Sequence, residues 1–399
     1  MAVREEKPTG ATGPLTGLKV LDMGQLIAGP LAATLLGDFG ADVVKVERPG
    51  SGDPGRDMGE KKDGVSLWWK VGARNKRSVC LDLKDPEDQE TFLGLVAEAD
   101  IVVENFSPGT LDKMGIGYSR LKERNPGIIH LGISGFGQTG PRSHWKGFGR
   151  TAEAFSGLAY TTGFPESAPI HLAFPVADCV SAVMGAMAVM MAVYEREHNG
   201  TGEGQYIDLS LFETVFRIME FVAINYDQLG LVLERTGAKS SYVAPVNTWE
   251  TKDHKWASFT GSTQAIVTRT FKAMGQPELI EDDRFKDNAS RLQHGEELDE
   301  IMAAWMREHT LEEVMRQFEA HDVPIAPVYN IADIFEEDHY WDRGALIRMD
   351  DPELGNVTVQ GITPKFSRTP GSVRWLGPPL DSGRQDVLDD WLGRSSDPE

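Results

Sequence analysis

Between residues 18 and 137, short and almost wholly apolar runs alternate with longer amphipathic segments. LKVLDMG (18–24), ADVVKVER (41–48), SVCLDL (78–83), DIVVEN (100–105) and GIIHLGISGFG (127–137) read as strands. PLAATLLGDF (30–39) reads as a helix, with Pro30 in its first turn and Gly40 behind it; PEDQETFLGLVAEA (86–99) reads as another, with acids in its first turn. GTLDKMGIG and YSRLKERN add two short helices before the last of these strands. Strands that are apolar throughout, instead of at alternate residues, belong to a parallel sheet covered by helices on both faces. In such a sheet ligands bind beyond the carboxyl ends of the strands.

Further along, the text changes character. Residues 179–196 read as a long buried helix, apolar on most faces. GQYIDLSL (204–211) alternates like a strand, and LFETVFRIMEFVAINYDQLG (211–230) is helical. From about 231 to 325 the chain is more polar, with a β-like stretch and the amphipathic segments LDEIMAAWMREHT and LEEVMRQFEAHD. At roughly 150 residues per domain, 399 residues make two or three domains. The expected division is a large α/β domain begun by 1–225, a smaller α+β domain over 226–325, and a return to the large domain over 326–399 that ends in the helix RQDVLDDWLG.

Charge and cysteine content narrow the function. A net charge of −21 argues against nucleic acid as a partner, because phosphate binding needs a basic footprint. A small anionic ligand responds to local charge and stays open. Cys80 and Cys179, the two cysteines, are too few and too far apart for a disulfide framework or a Cys-rich zinc site, which fits a reducing cytoplasm. The polar, Gly/Pro-rich start MAVREEKPTGATGPLTG lacks a signal peptide's apolar stretch. The most apolar run, Val180–Val193, is shorter than the ~20 residues of a membrane span, so no membrane partner is expected.

The first strand–helix turn, MGQLIAGPLAATLLG, has Gly24 and Gly29 five residues apart. This is not G-x-G-x-x-G, so a nicotinamide site is not expected. Arg48, at the end of the second strand, is placed to meet a phosphate, with a solvated arginine as the lesser alternative. Arg74, Lys76, Arg77, Lys84, Lys113 and Lys146 also fall near strand ends. Asp178 stands directly before the long apolar segment and reads as its N-cap; the same place suits a carboxylate nucleophile. His144, His171 and His254 lack the spacing of a metal cluster, and neither H-E-x-x-H nor G-x-S-x-G occurs.

GLKVLDMGQLIAGPLAATLLGDFGADVVKVERPGSGDPGR, NKRSVCLDLKDPE, DIVVENFSPGTLDKMGIGY, ISGFGQTGP, AFSGLAYTTGF, GTGEGQYIDLSLFE and TPKFSRTPG, in this order, resemble the class III CoA-transferases across nearly the whole chain. The resemblance implies a Rossmann-like large domain, a smaller domain, and two chains interlaced like rings in a homodimer. It implies a nucleophilic aspartate, here Asp178 in PVADCVSAVMG, and contacts to coenzyme A from Ile27, Ala28, Arg48, Leu81, Lys84, Asn105, Phe106, Lys113 and Lys146. The implied chemistry passes acyl-CoA and carboxylic acid through mixed anhydrides and an aspartyl-CoA thioester, with no metal and no ATP.

Two departures bear on the reaction. In the related α-methylacyl-CoA racemases a His-Asp pair precedes the Ser-Gly that corresponds to Ser156-Gly157, and its places hold Phe148 and Gly149 here. Phenylalanine cannot carry a proton, which leaves α-proton exchange without its base. Formyl-CoA transferases carry a glutamate where Gly149 stands, so formyl transfer is not expected. AEAFSG, FPVADCVSA and TPKFSRTPG lean toward the carnitine type, and a dicarboxylate acceptor such as succinate, malate or mesaconate is an equal expectation. The competing readings are a racemase-like enzyme and a non-catalytic CoA-binding protein.

Overall fold

The computed structural model describes residues 12–393; the first eleven residues of the Gly/Pro-rich start lie outside them. Six parallel strands form the main sheet: β1 (Lys19–Asp22), β2 (Asp42–Glu47), β3 (Lys76–Cys80), β4 (Ile101–Glu104), β5 (Ile129–Ser134) and β6 (Tyr206–Ser210). Their order across the sheet is β3-β2-β1-β4-β5-β6. The order runs outward in both directions from β1 and β4, and a sheet of this kind opens a crevice at that reversal.

Strand residues alternate between two cores. Val20, Val43, Ile101, Val103, Leu131 and Ile133 face one side, where helix α1 (Ala28–Asp38) lies. Leu21, Val44, Val46, Val79 and Val102 face the other, under helix α2 (Pro86–Glu98). The short helix α3 (Thr110–Lys113) lies between β4 and β5, α4 (Gly149–Ser156) lies beyond β5, and α5 spans Val176–His198. Strand β6 leads into α6 (Leu211–Ile218) and α7 (Val222–Leu229), so the segment expected as one helix over 211–230 is two. The C-terminal helix α8 (Arg384–Leu392) returns to the second core with Val387 and Trp391, and Trp391 Nε1 donates to Asp42 Oδ2 at 2.8 Å.

Helix α5 corrects the expectation of a mostly buried helix. Ala177, Ser181, Ala182, Gly185 and Val189 pack inward, with Ser181 Oγ 2.6 Å from Thr214 Oγ1. Val183, Met187, Met191 and Tyr194 lie on an opposite, exposed stripe. By length and composition alone this 23-residue helix is long and apolar enough to cross a membrane, where the sequence offered only a shorter apolar run. Its inward face instead joins the core on the α1 side of the sheet.

The chain forms two compact units. The one just described holds, of the described residues, 12–158, His171–Leu229 and 341–393. The second holds Ala159–Ile170 and Gly230–Tyr340. Within it a three-stranded antiparallel sheet packs on amphipathic helices through Trp249, Phe259, Phe271, Trp305 and Phe318.

Candidate active site

The turn between β1 and α1 sits at the reversal in strand order. A Cβ on Gly24 would come within 3.0 Å of Gly29 Cα and closer still to Pro30, so the turn closes only because residue 24 has no side chain. That is the use of the two glycines whose spacing fails the dinucleotide fingerprint. Leu26 adopts φ 64°, a conformation uncommon for a residue with a side chain. Its neighbours hold it there. Leu26 N–H donates to Asp53 Oδ1 at 3.0 Å, and Asn105, just beyond β4, takes Gln25 N–H on Oδ1 at 2.7 Å and donates from Nδ2 to Gln25 O at 2.9 Å. The first turn is thus fastened from both sides of the crevice. Strain of this kind persists only where surroundings over-determine it.

Under the turn lies a buried charge cluster. Lys45 Nζ pairs with Asp53 Oδ2 at 2.8 Å, and Lys76 Nζ pairs with Asp22 Oδ2 at 2.8 Å. Burial opposes the Asp53 charge, but Lys45 and the amides of Leu26 and Gly55 outweigh it and hold the carboxyl below its ordinary pKa. Burial likewise opposes the Glu47 charge and is outweighed by Arg56, which binds it at 2.7 Å. Such pairs orient a site, whereas losing one partner leaves an uncompensated buried charge.

Asp178 stands in contrast. The N-cap of α5 is Pro175, so Asp178 is the third helical residue and not the expected cap. Burial, and then the neighbouring Glu153, push its pKa up to about 6, against a smaller opposing effect of its own amide N–H. No cation among the described residues offsets the two. Glu153, on α4, is itself buried; its Oε2 meets His171 Nδ1 at 2.8 Å while Oε1 finds no protein partner. One turn earlier on α4, a Cβ built on Gly149 would overlap Asp178 Oδ2. Gly149 is therefore the space that the carboxylate occupies, and a glutamate there requires Asp178 to move.

Two neighbouring cavities gather most of the expected residues. Asp178 lines one of about 550 Å³ together with Ile27, Ala28 and Asn105. Arg48, Leu81, Lys84 and Phe106 line one of about 260 Å³. Gln25 lines both, and consecutive Asn105 and Phe106 face one each. Arg48 and Lys84 are exposed at the second cavity. Lys113 and Lys146 line neither; Lys113 is exposed at the end of α3, and Lys146 Nζ donates to Ser107 Oγ at 2.9 Å. Arg74, Lys76 and Arg77, basic residues near strand ends, are committed to Asp38, Asp22 and Asp42.

Sequence reasoning missed Gln25, Asp53, Arg150, Glu153 and the pairing of His171. The Gly-Asp-Pro turn at 52–54 is the one local signal that could have pointed to Asp53, whose Oδ1 accepts from Gly55 N–H at 2.7 Å. Nothing local marks its bond to Leu26. Glu153 and His171 are 18 residues apart and carry no shared motif.

Residues 15–384 match the model of CoA-transferase family III. The succinyl-CoA–D-citramalate CoA-transferase of Chloroflexus aurantiacus is 39% identical over 385 residues, covering 96% of this chain and 95% of that protein. The succinyl-CoA:mesaconate CoA-transferase of Haloarcula hispanica is 36% identical, covering 95% of this chain and 96% of that protein. Among solved structures, a CAIB/BAIF family protein from Brucella suis superposes with a TM-score of 0.84 at 29% identity, covering 95% of this chain and all of that one.

Proposed function

The chain belongs to CoA-transferase family III, and from that premise we propose that it moves coenzyme A from a dicarboxylic acyl-CoA to a dicarboxylic acid through covalent intermediates on Asp178. The observation that carries the proposal is an unpaired, half-buried carboxylate in the cavity beside the first turn. A carboxylate with no cation to neutralise it gains by becoming an acyl group. The two relatives above are named for succinyl-CoA with citramalate or mesaconate, both dicarboxylic acids, which favours a dicarboxylate over carnitine as acceptor.

The steps are as follows. Asp178 attacks the donor thioester carbonyl, the C–S bond breaks, and a mixed anhydride and CoA thiolate result. The thiolate attacks the aspartyl carbonyl of the anhydride, which frees the donor acid and leaves an aspartyl-CoA thioester. The acceptor carboxylate displaces CoA to form a second anhydride. Thiolate attack on the acceptor's carbonyl then yields the new acyl-CoA and restores Asp178. Each bond formed replaces one broken, so thioester energy is conserved.

In this reading the Rossmann-like unit binds CoA around the first turn. Ile27, Ala28 and Asn105 border the reactive end, Leu81 and Phe106 line the second cavity, and Arg48, Lys84, Lys113 and Lys146 meet the phosphates from its rim and beyond. The exposed stripe Val183, Met187, Met191 and Tyr194 supports a homodimer, since apolar residues one or two turns apart make a continuous patch. Initial rates with succinyl-CoA and citramalate or mesaconate, followed by separation of the acyl-CoA esters, test the function. Parallel double-reciprocal lines and a new dicarboxylic acyl-CoA are expected; no exchange with any diacid contradicts it.

A further inference from the structure

Of the residues lining the Asp178 cavity, Arg150 is the one cation among those described. It is the second residue of α4, directly after the Gly149 that the Asp178 carboxylate abuts. Consecutive Cα atoms are ~3.8 Å apart, which puts the Arg150 Cα within about 8 Å of that carboxylate. The side chain is exposed and has no ion pair or hydrogen bond among the described residues. Four other arginines of the same unit are committed: Arg56 to Glu47, Arg74 to Asp38, Arg77 to Asp42, Arg196 to Asp100. In a chain with 61 acids against 40 bases, an uncommitted arginine facing the reaction cavity has an unmet partner.

The rest of the lining defines what that partner is. Phe148, Leu172 and Phe174 are apolar and exposed around the same cavity, and Asp178 is its one anion. A substrate with a second carboxylate brings a further negative charge toward Asp178 and Glu153. That charge is costly in an apolar cavity unless a cation meets it. A guanidinium meets a carboxylate with two parallel hydrogen bonds and stays charged at any working pH.

We propose that Arg150 binds the carboxylate that takes no part in the transfer, and so selects dicarboxylic over monocarboxylic acyl groups. The inference rests on Asp178 being the transfer nucleophile. Donor and acceptor both present this carboxylate, so one arginine serves both half-reactions in turn. A short diacid engaged at Asp178 through one carboxyl group brings the other within the sweep of the Arg150 side chain.

The test compares succinyl-CoA with butyryl-CoA, which replaces the free carboxylate by a methyl group. Initial rates are measured for the full-length protein and for Arg150→Gln and Arg150→Lys, with circular dichroism and the thermal midpoint confirming the fold of each. The wild type is expected to prefer succinyl-CoA. In Arg150→Gln the succinyl-to-butyryl ratio of kcat/KM falls about 30-fold or more, as loss of a charge-assisted pair predicts. Arg150→Lys restores part of the preference, because charge is kept without the bidentate geometry. An unchanged ratio in Arg150→Gln, with both donors still used, overturns the role of Arg150 and leaves the transferase reading standing. No transfer from either donor by the wild type overturns that reading and this inference with it.

Discussion

Asp53 and Asp178 are both aspartates withdrawn from water near the first turn, and their surroundings drive them in opposite directions. Around Asp53, Lys45 and two amide donors outweigh burial and the carboxyl stays charged. Around Asp178, burial acts with Glu153 and the pKa climbs to about 6. The difference lies in the partners: a cation at 2.8 Å in one case and a second carboxylate in the other. A paired acid of the first kind fixes backbone, here the left-handed Leu26. An acid of the second kind is held in a form that covalent chemistry relieves.

The most severe way to break the comparison is to remove the unpaired acid. Asp178→Asn is expected to lose about 10⁴-fold or more in kcat/KM for CoA transfer, the scale seen when a nucleophile is deleted. Its effect on stability has the opposite sign. Folding raises the Asp178 pKa from its ordinary 3.8 to about 6, so the folded state binds the proton more tightly. That contribution is fully present below about pH 4 and is lost as pH rises through 6. At pH 8 the wild type therefore carries a cost that Asp178→Asn lacks, of about 1–2 kcal/mol after allowing for solvent screening. Urea unfolding at pH 8 and pH 4 checks this, with the gain present at the first and absent at the second.

The paired acid responds in reverse. Asp53→Ala leaves Lys45 buried and under-compensated, and about 3–5 kcal/mol of stability is expected to go. In a urea double-mutant cycle, Lys45→Met combined with Asp53→Leu costs less than the sum of the two single changes, since they share one interaction. Strict additivity would break the view of this pair as a unit.

A smaller change sharpens the role of Glu153. With Asp178 as the proposed nucleophile, its carboxylate form is the reactive one, and kcat/KM is expected to rise with pH through about 6. Glu153→Gln removes the like charge, and the acidic limb of the profile shifts to lower pH. A limb that stays in place assigns the raised pKa to burial alone. Smallest is the effect at the second cavity. Arg48→Ala or Lys84→Ala is expected to raise KM for acyl-CoA several-fold, and less at high salt, as for an exposed charge meeting a phosphate.

The sheet was legible because its strands are apolar throughout, and β1 to β5 fall within a few residues of the runs that announced them. What covers the second face was less so: Val387 and Trp391 meet β2 and β3 across some 300 residues, and no local pattern encodes such contacts. The long helix was legible as an element but not in its exposure, because composition does not distinguish a face covered by the same chain from one left open. Asp178 was singled out by the ordered motifs around it, and its role as nucleophile is the proposal made above. Its third-position placement follows from Pro175 taking the cap, which spacing alone does not decide. Lys76 and Arg48 look alike in the sequence, yet one is buried on Asp22 and the other is exposed at a cavity. Only tertiary structure separates a cation already matched by an acid from one free to meet a ligand.

The central claim is that the unpaired carboxylate becomes covalently attached. It is tested most directly by mixing the protein with succinyl-CoA in the absence of acceptor, quenching, and measuring by mass spectrometry the peptide that contains Asp178. The account predicts a CoA adduct on that peptide, removed by hydroxylamine and missing from Asp178→Asn. Transfer that proceeds with no adduct on Asp178, or that survives in Asp178→Asn, would contradict it.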